Sequence, residues 1–221
     1  STAAALERTA RSHGDGVRGV VRVNASEVVG VEILPPIVAA LRERHPRLVV
    51  ELVLTNRVQD LLRREADLAI RNVQPTQPTL VSRKLRAREA HLYATPAYLR
   101  SLGKPGLASL SKATFIGFDQ GEAFRKGLEA ALGLKLTEDN FKFHSQNQQV
   151  QLGLCCEGLG VAIMLADVGD RTPGLVRALP SLPAIPIPMW LVTHQDIRTS
   201  RRVRVVADFL ARSFGTEAGQ P

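Results

Sequence analysis

Residues 19–71, GVVRVNASEVVGVEILPPIVAALRERHPRLVVELVLTNRVQDLLRREADLAIR, alternate short β-rich runs with amphipathic helical stretches. The order is strand, polar loop, helix, strand, second helix, strand. Parallel neighbours in a sheet need a crossover of a dozen or more residues, usually a helix, so repeated alternation builds a mostly parallel α/β sheet. Such sheets place small-molecule sites outside the carboxyl ends of their strands. The loop Asn24-Ala25-Ser26 follows the first β-rich run, so the fold class brings a candidate site with it.

The elements follow from local chemistry. Val20–Val23 is β-rich, and Ser26 can cap a helix that carries Glu27 in its first turn and runs to about His45. Pro35-Pro36 is tolerated only near a helix start or at a local irregularity, and Pro46 stops the run. Ile37, Val38, Ala40 and Leu41 give the helix its apolar face; Leu48–Leu54 is the next strand, with Val50, Leu52 and Leu54 on one side. Thr55-Asn56 opens a second helix over Val58–Glu65, and Leu68-Ala69-Ile70 is a fully apolar strand with Arg71 at its exit. Val81–Leu85 and Ala90–Ala94 read as two short strands; Thr95-Pro96 starts a helix with proline in its first turn. Phe115–Phe118 and Phe141–Phe143 are strands, and Phe124–Leu132 is a helix stopped by Gly133. Ser145 is the expected cap of a helix over Asn147–Glu157, with Gly158 in the left-handed position after it. Val161–Leu165 is a strand, the proline-rich 172–188 reads as loop, Met189–Thr193 is the last strand, and Arg201–Phe214 is a closing amphipathic helix. This gives two αβ units, about 17–89 and 90–188, and a C-terminal strand and helix (189–215) able to rejoin the first.

Composition bounds the function classes. The 221 residues are 44% hydrophobic and 23% charged, ordinary values for a globular chain with a buried core. No apolar run approaches the roughly 20 residues that span a bilayer, and STAAALERTARSHGDG lacks a signal-peptide core, so a cytoplasmic location without membrane contact is expected. The net charge is +8, carried mostly by arginine, with clusters at 83–88 and 198–204. A nucleic-acid surface and a solvated arginine-rich surface both fit, although neither cluster interleaves with aromatics as a base-stacking surface does. Cys155 and Cys156 are adjacent, a poor geometry for a disulfide; they read as small buried helix residues or as a redox pair. No cysteine or histidine cluster has metal-ligand spacing, no cofactor is expected, and the chain carries no G-x-S-x-G elbow, P-loop or H-E-x-x-H motif.

Several segments, taken in order, resemble the effector-binding domain of LysR-type transcriptional regulators: Ile33-Leu34-Pro35-Pro36, Leu41-Arg42-Glu43-Arg44-His45-Pro46, Val50-Glu51-Leu52, 63–71 (RREADLAIR), Ala94–Leu99 (ATPAYL) and Gly158–Ala162 (GLGVA). The resemblance implies a periplasmic-binding-protein-like fold, two Rossmann-like subdomains joined by two crossing strands near 89–94 and 189–193, with a small-molecule effector in the cleft. It makes 1–16 the end of a linker helix from a DNA-binding domain outside this chain and 216–221 a tail. It implies an antiparallel homodimer, tetrameric in the parent protein, that packs the helix at 35–45 on the partner's helix at 147–157; the small Gly153, Cys155 and Cys156 suit such packing. DNA contact is expected only through the domain outside this chain.

Within that frame the candidate effector-binding residues are Asn24, Ser26, Thr55, Asn56, Arg71, Phe118, Asn147 and Gln148. Ser26 stands at a helix N-terminus, where exposed N–H groups and the dipole favour an anion. Thr55 and Asn56 offer hydroxyl and amide groups at the next strand end, and Arg71 can pair bidentately with a carboxylate. Phe118 and Asp119 end a strand of the second unit, and Asn147 and Gln148 start a helix there. Each has a plainer role available: Ser26 as a cap, Arg71 paired with Asp67 or Glu65, Phe118 as core, Asn147 and Gln148 as exposed first-turn residues. The strand after Gly160 ends Met164-Leu165-Ala166 where the family often has proline, so no ligand role is carried there. A solute-binding protein of a periplasmic transporter shares this fold and is the alternative reading; a small αβ transferase is a third.

Overall fold

A computed structural model describes residues 16–55, 66–118 and 122–216. The chain divides into two compact units, one comprising residues up to Arg86 and from Pro188 onward, the other Ala87–Ile187. The expected helices at 3–12 and Val58–Glu65, together with Asn56 and Asp119, lie outside the described residues.

In the first unit, β1 (Gly19–Ala25) pairs in parallel with β2 (Leu48–Leu54) on one side and β3 (Leu68–Arg71) on the other. β3 pairs antiparallel with β9 (Ile185–His194). Val21, Val23 and Ala25 alternate inward and are fully buried, as are Leu68 and Ala69. The closing helix α7 (Arg201–Phe214) buries Val203, Val206, Phe209, Leu210 and Phe214, the spacing of one helical face. The guanidinium of Arg44 lies 5.5 Å from the Phe209 ring centroid, tying the C-terminal end of helix α1 (Leu34–Arg44) to α7.

The prolines shape α1. Between Ser26 and the helix proper, Val29–Ile33 forms a π-turn in which the Leu34 N–H reaches the Val29 carbonyl. Pro35 and Pro36 have no N–H to give, and the π-turn directly before them is the local irregularity that accommodates the two missing donors within a continuous helical run. The buried face is Leu34 and Leu41, with Ile37 and Val38 half-buried; Ala40, expected on it, is exposed.

The second unit is built on β4 (Leu80–Ala94), β5 (Phe115–Gly117), β6 (Phe141–His144) and β7 (Val161–Leu165). β7 pairs antiparallel with β4 and parallel with β5, which pairs in parallel with β6. Successive residues point to opposite faces, so adjacent positions feed two cores. Leu92, Ala94, Phe115 and Val161 join one, closed by α4 (Glu122–Leu132) through Leu128 and Leu132. Tyr93, Ile116 and Ala162 join the other, with Cys155 of α5 (Gln148–Cys156). The short helix α2 (Pro96–Ser101) starts as expected, with Thr95 accepting from the Tyr98 N–H at 3.2 Å. Single-turn helices α3 (Leu107–Leu110) and α6 (Ala166–Gly169) and the two-residue strand β8 (Val176–Arg177) complete the unit.

Three expectations about elements change. The two short strands at 81–85 and 90–94 are one strand of 15 residues. Its charged middle is held as strand by the chain end: the Arg86 N–H donates to the Gly215 carbonyl at 2.7 Å, and Leu85 bridges Thr216. The last strand begins at Ile185 rather than Met189, taking in Pro186 and Pro188; a proline ring suits extended backbone wherever its absent N–H is not needed by the ladder. The cap of α5 is Asn147, whose Oδ1 accepts from the N–H groups of Gln149 and Val150, while Ser145 Oγ accepts from the Asn147 N–H.

Candidate functional site

Three parallel strands of the first unit end together. Asn24 stands opposite Val53 of β2 and Ala69 of β3, and the Thr55 N–H donates to the Ala25 carbonyl at 3.0 Å. Asn24, Ser26, Thr55 and Arg71 are therefore gathered at one carboxyl edge. Ser26 is half-buried, and its carbonyl accepts the Gly30 N–H at 2.9 Å, the first turn of the helical run. Gly30 lets Leu54 pack close over this turn: a Cβ there would meet Leu54 Cδ2 at 2.0 Å and turn that side chain aside.

Asn24 is fully buried inside a strand, a position that disfavours asparagine unless its amide is satisfied. Its Oδ1 accepts a hydrogen bond from Arg71 Nη1, which also donates to the Ile70 carbonyl at 3.3 Å. Asp67 is engaged elsewhere, its carboxylate taking the Arg22 N–H at 2.9 Å. The charge of Arg71 is thus held at the strand ends by a charge-assisted bond from a neighbouring strand. Glu27 adds a buried carboxylate oxygen, Oε2, that has no hydrogen-bond partner among the described residues.

The candidates of the second unit have local duties. Phe118 is half-buried and packs edge-on against Phe124, with ring centroids 5.2 Å apart. Asn147 spends its side-chain oxygen capping α5. Gln148 is half-buried in the first helical turn. Gln151, absent from the sequence-based set, is 1% exposed and donates Nε2 to the Ser145 carbonyl at 2.6 Å, holding the β6–α5 loop. Its signal is a fifth amide after Gln146-Asn147-Gln148-Gln149, without anything to say which one turns inward.

A polar network on the second unit was not legible either. Tyr93 is fully buried, and its hydroxyl donates to Asp170 Oδ1 at 2.7 Å; Arg177 Nη2 closes on Asp170 Oδ2 at 2.6 Å. The Arg177 hydrogen bond holds the Asp170 carboxyl down at about 2, with Tyr93 adding to it. Burial, aided by Asp170, pushes the Tyr93 phenol up to about 12. Asp170 thus adds stability that is complete above its unfolded pKa near 3.8 and disappears as pH falls through about 2. Tyr93 adds stability present below pH 10 and lost as pH rises toward 12. Asp170→Asn is expected to flatten the acid side of a Tm-against-pH profile between pH 4 and 2, by on the order of 1 kcal/mol given the solvent screening of its carboxylate. A variant profile parallel to the wild type over that range would refute this.

The adjacent cysteines separate. Cys155 is fully buried, its Sγ donating to the Tyr93 carbonyl at 3.3 Å, and burial raises its thiol to about 12. Cys156 is exposed and both thiols are free, which corrects the expectation of two buried residues and takes Cys155 off any packing face. Native alkylation at pH 8–9 is expected to modify one thiol, Cys156, and alkylation in denaturant both, read by intact mass. Two rapid native additions would contradict the buried thiol. Among the described residues no group of His, Cys, Asp and Glu is arranged to hold a metal ion, and no helix is long and apolar enough to cross a membrane.

An α/β module with polar groups gathered at the carboxyl ends of its parallel strands, where such sheets bind small molecules, is the class this describes. The family model of the LysR substrate binding domain matches residues 14–215, and the chain belongs to that family. It is 26% identical over 206 residues to the HTH-type transcriptional regulator DmlR of Escherichia coli K12, covering 89% of this chain and 66% of that protein. It is 25% identical over 207 residues to the regulator CrgA of Neisseria meningitidis serogroup C, covering 90% of this chain and 68% of CrgA. The solved CrgA regulatory domain superposes with a TM-score of 0.78 at 24% identity, over 90% of this chain and all of that one. Full-length AphB of Vibrio cholerae gives 0.69 at 22%, over 94% of this chain and 75% of AphB. The fold is the periplasmic-binding-protein-like one of LysR regulatory domains, and the chain is an effector-binding regulatory domain rather than a transporter's solute-binding protein. It spans about two thirds of the length of the curated relatives it matches.

Proposed function

We propose that this domain senses a small polar or anionic metabolite at the carboxyl ends of β1, β2 and β3, within a cytoplasmic regulator that binds DNA through a separate domain. The observation that carries the reading is the Asn24–Arg71 pair, a positive group held at the strand ends beside Ser26 and Thr55. A ligand carboxylate gains a charge-assisted bond from Arg71 and hydroxyl contacts from Ser26 and Thr55, and a donor on the ligand suits the buried Glu27 oxygen. Asn56 belongs to the same proposed set; on the second unit taken by itself, Phe118 and Gln148 are proposed effector contacts, and Asn147 fixes the start of α5. Effector binding biases the parent between two states by its differential affinity for them.

The proposed homodimer sets the helix at 35–45 against the partner's helix at 147–157. Its support is apolar and small surface on both: Pro36, Ala39 and Ala40 are exposed along the first, Val150, Gly153 and Cys156 along the second. In the parent this dimer assembles further, to a tetramer.

The test is native mass spectrometry of the purified chain for a retained metabolite, then calorimetry with that compound on Ser26→Ala, Thr55→Ala and Arg71→Ala. A loss of tenfold or more in at least one variant is expected, since a hydrogen bond to a charged group contributes about 1.5–3 kcal/mol. Unchanged affinity in all three would remove this site.

A further inference from the structure

We propose a second ligand site, for a phosphate-type dianion, at the opposite edge of the first unit's sheet, lined by Arg18, Arg47, Arg201 and Arg202. A cavity of about 360 Å³ lies there, and none of the described residues lining it is acidic. The parallel register explains how the arginines meet. Gly19 stands opposite Leu48, so Arg18 and Arg47, each one residue earlier, come side by side at the amino ends of β1 and β2. Arg202 is brought to the same edge by its Nε, which donates to the Val20 carbonyl at 3.1 Å, and Arg47 Nη2 donates to the Gly16 carbonyl at 3.2 Å.

The fourth wall is the start of α7, 14 residues long. Ser200 makes no side-chain cap there, and the first turn has no acidic residue. Arg201 and Arg202 are thus cations at the positive end of a helix, an arrangement the dipole disfavours. A dianion reverses the sign of that interaction and accepts from the first-turn N–H groups and the guanidinium forks together. The side chains of Arg18 and Arg201 have no hydrogen bond or ion pair with another described residue, so they are available to a ligand. The cavity exceeds the size of one oxyanion and falls in the range of small-metabolite pockets, about 300–1,000 Å³. The ligand chemistry is therefore a tetrahedral phosphate, free or as the end of a small phosphomonoester. The basic run 198–204, which the effector site leaves unused, acquires a role.

Calorimetry of the whole chain with inorganic phosphate, glycerol phosphate and chloride, at constant ionic strength, tests this. Saturable one-to-one binding of phosphate or glycerol phosphate is expected, at least tenfold weaker in the double variant Arg18→Gln/Arg201→Gln. Tighter glycerol phosphate identifies a phosphomonoester as the ligand, and equal affinities identify the free anion. Arg18→Glu alone, with its fold checked by circular dichroism, serves if the double variant does not fold. The proposal is overturned by heats that follow ionic strength only, by unchanged affinity in the variants, or by arginine-dependent binding of duplex DNA without saturable binding of either small phosphate.

Discussion

Phe115→Ala is expected to destabilise the second unit by about 3–5 kcal/mol, the usual cost of removing a fully buried phenyl ring. Phe115 is 1% exposed and lies on β5, between β6 and β7, where its ring meets that of Phe141 at 5.8 Å. Phe141 in turn meets Phe124 of α4 at 6.1 Å, and Phe124 meets Phe118. The cavity left by alanine has no easy collapse. Leu110, Leu128 and Leu134 around it are themselves fully buried, and Asn140 is tied to the carbonyls of Ser111 and Ala113 at 3.0 and 2.8 Å. The backbone beside it is already in close approach, Gly160 lying so near Thr114 that a Cβ there would sit 2.6 Å from the Thr114 carbonyl oxygen. Urea unfolding followed by far-UV circular dichroism is the measurement. Phe115→Leu, which keeps most of the volume, is expected to cost under half as much; a Phe115→Ala loss below about 1 kcal/mol would show that the core relaxes around the void. The aromatic chain also predicts where the disturbance travels, to Phe118 at the strand exit.

The legible parts of this fold are those where one period dominates locally. The alternation in 19–25, 48–54 and 68–71 placed three strands within a residue or two, and the apolar stripe of 201–214 placed α7. Long-range hydrogen bonds decided what was missed. Nothing in Arg86-Ala87-Arg88-Glu89 marks a strand interior; the carbonyl of Gly215, over a hundred residues away, makes it one. Ser145 and Asn147 are equally good caps two residues apart, and the buried Gln151 side chain, by taking the Ser145 carbonyl, belongs with the arrangement in which Asn147 caps. Asn24 and Arg71 each stand at a strand end in the sequence, yet their bond joins residues 47 apart and depends on the β1–β3 register. The Tyr93–Asp170–Arg177 network needs Gly169 as well, since a Cβ there would lie 2.4 Å from the tyrosine ring. No local pattern announces such a contact.

Asn24→Leu and Asn24→Asp are expected to separate what the Asn24–Arg71 pair does for the fold from what it does for the ligand. Leucine keeps the branched shape of asparagine but is larger and offers no acceptor, so at this fully buried position some overpacking adds to the loss of the bond. It should cost about 1.5–3 kcal/mol, the contribution of a hydrogen bond to a charged partner. With its bond to Asn24 gone, the Arg71 guanidinium is less tightly oriented, and affinity for an anionic effector should fall at least tenfold. Aspartate keeps the bond and adds a charge, so the ion pair offsets much of the cost of burying a carboxylate, and the stability loss should be the smaller of the two. The new negative charge nevertheless cancels the positive field at the strand ends, and a like-charged effector is rejected. Effector affinity should therefore drop in both variants while their urea midpoints diverge. Were the pair purely structural, affinity would follow stability and Asn24→Asp would bind better than Asn24→Leu. An effector that binds Asn24→Asp as well as wild type would show that the ligand carries no negative charge toward Arg71, and would redirect the search to neutral polar metabolites held by Ser26, Thr55 and the amides.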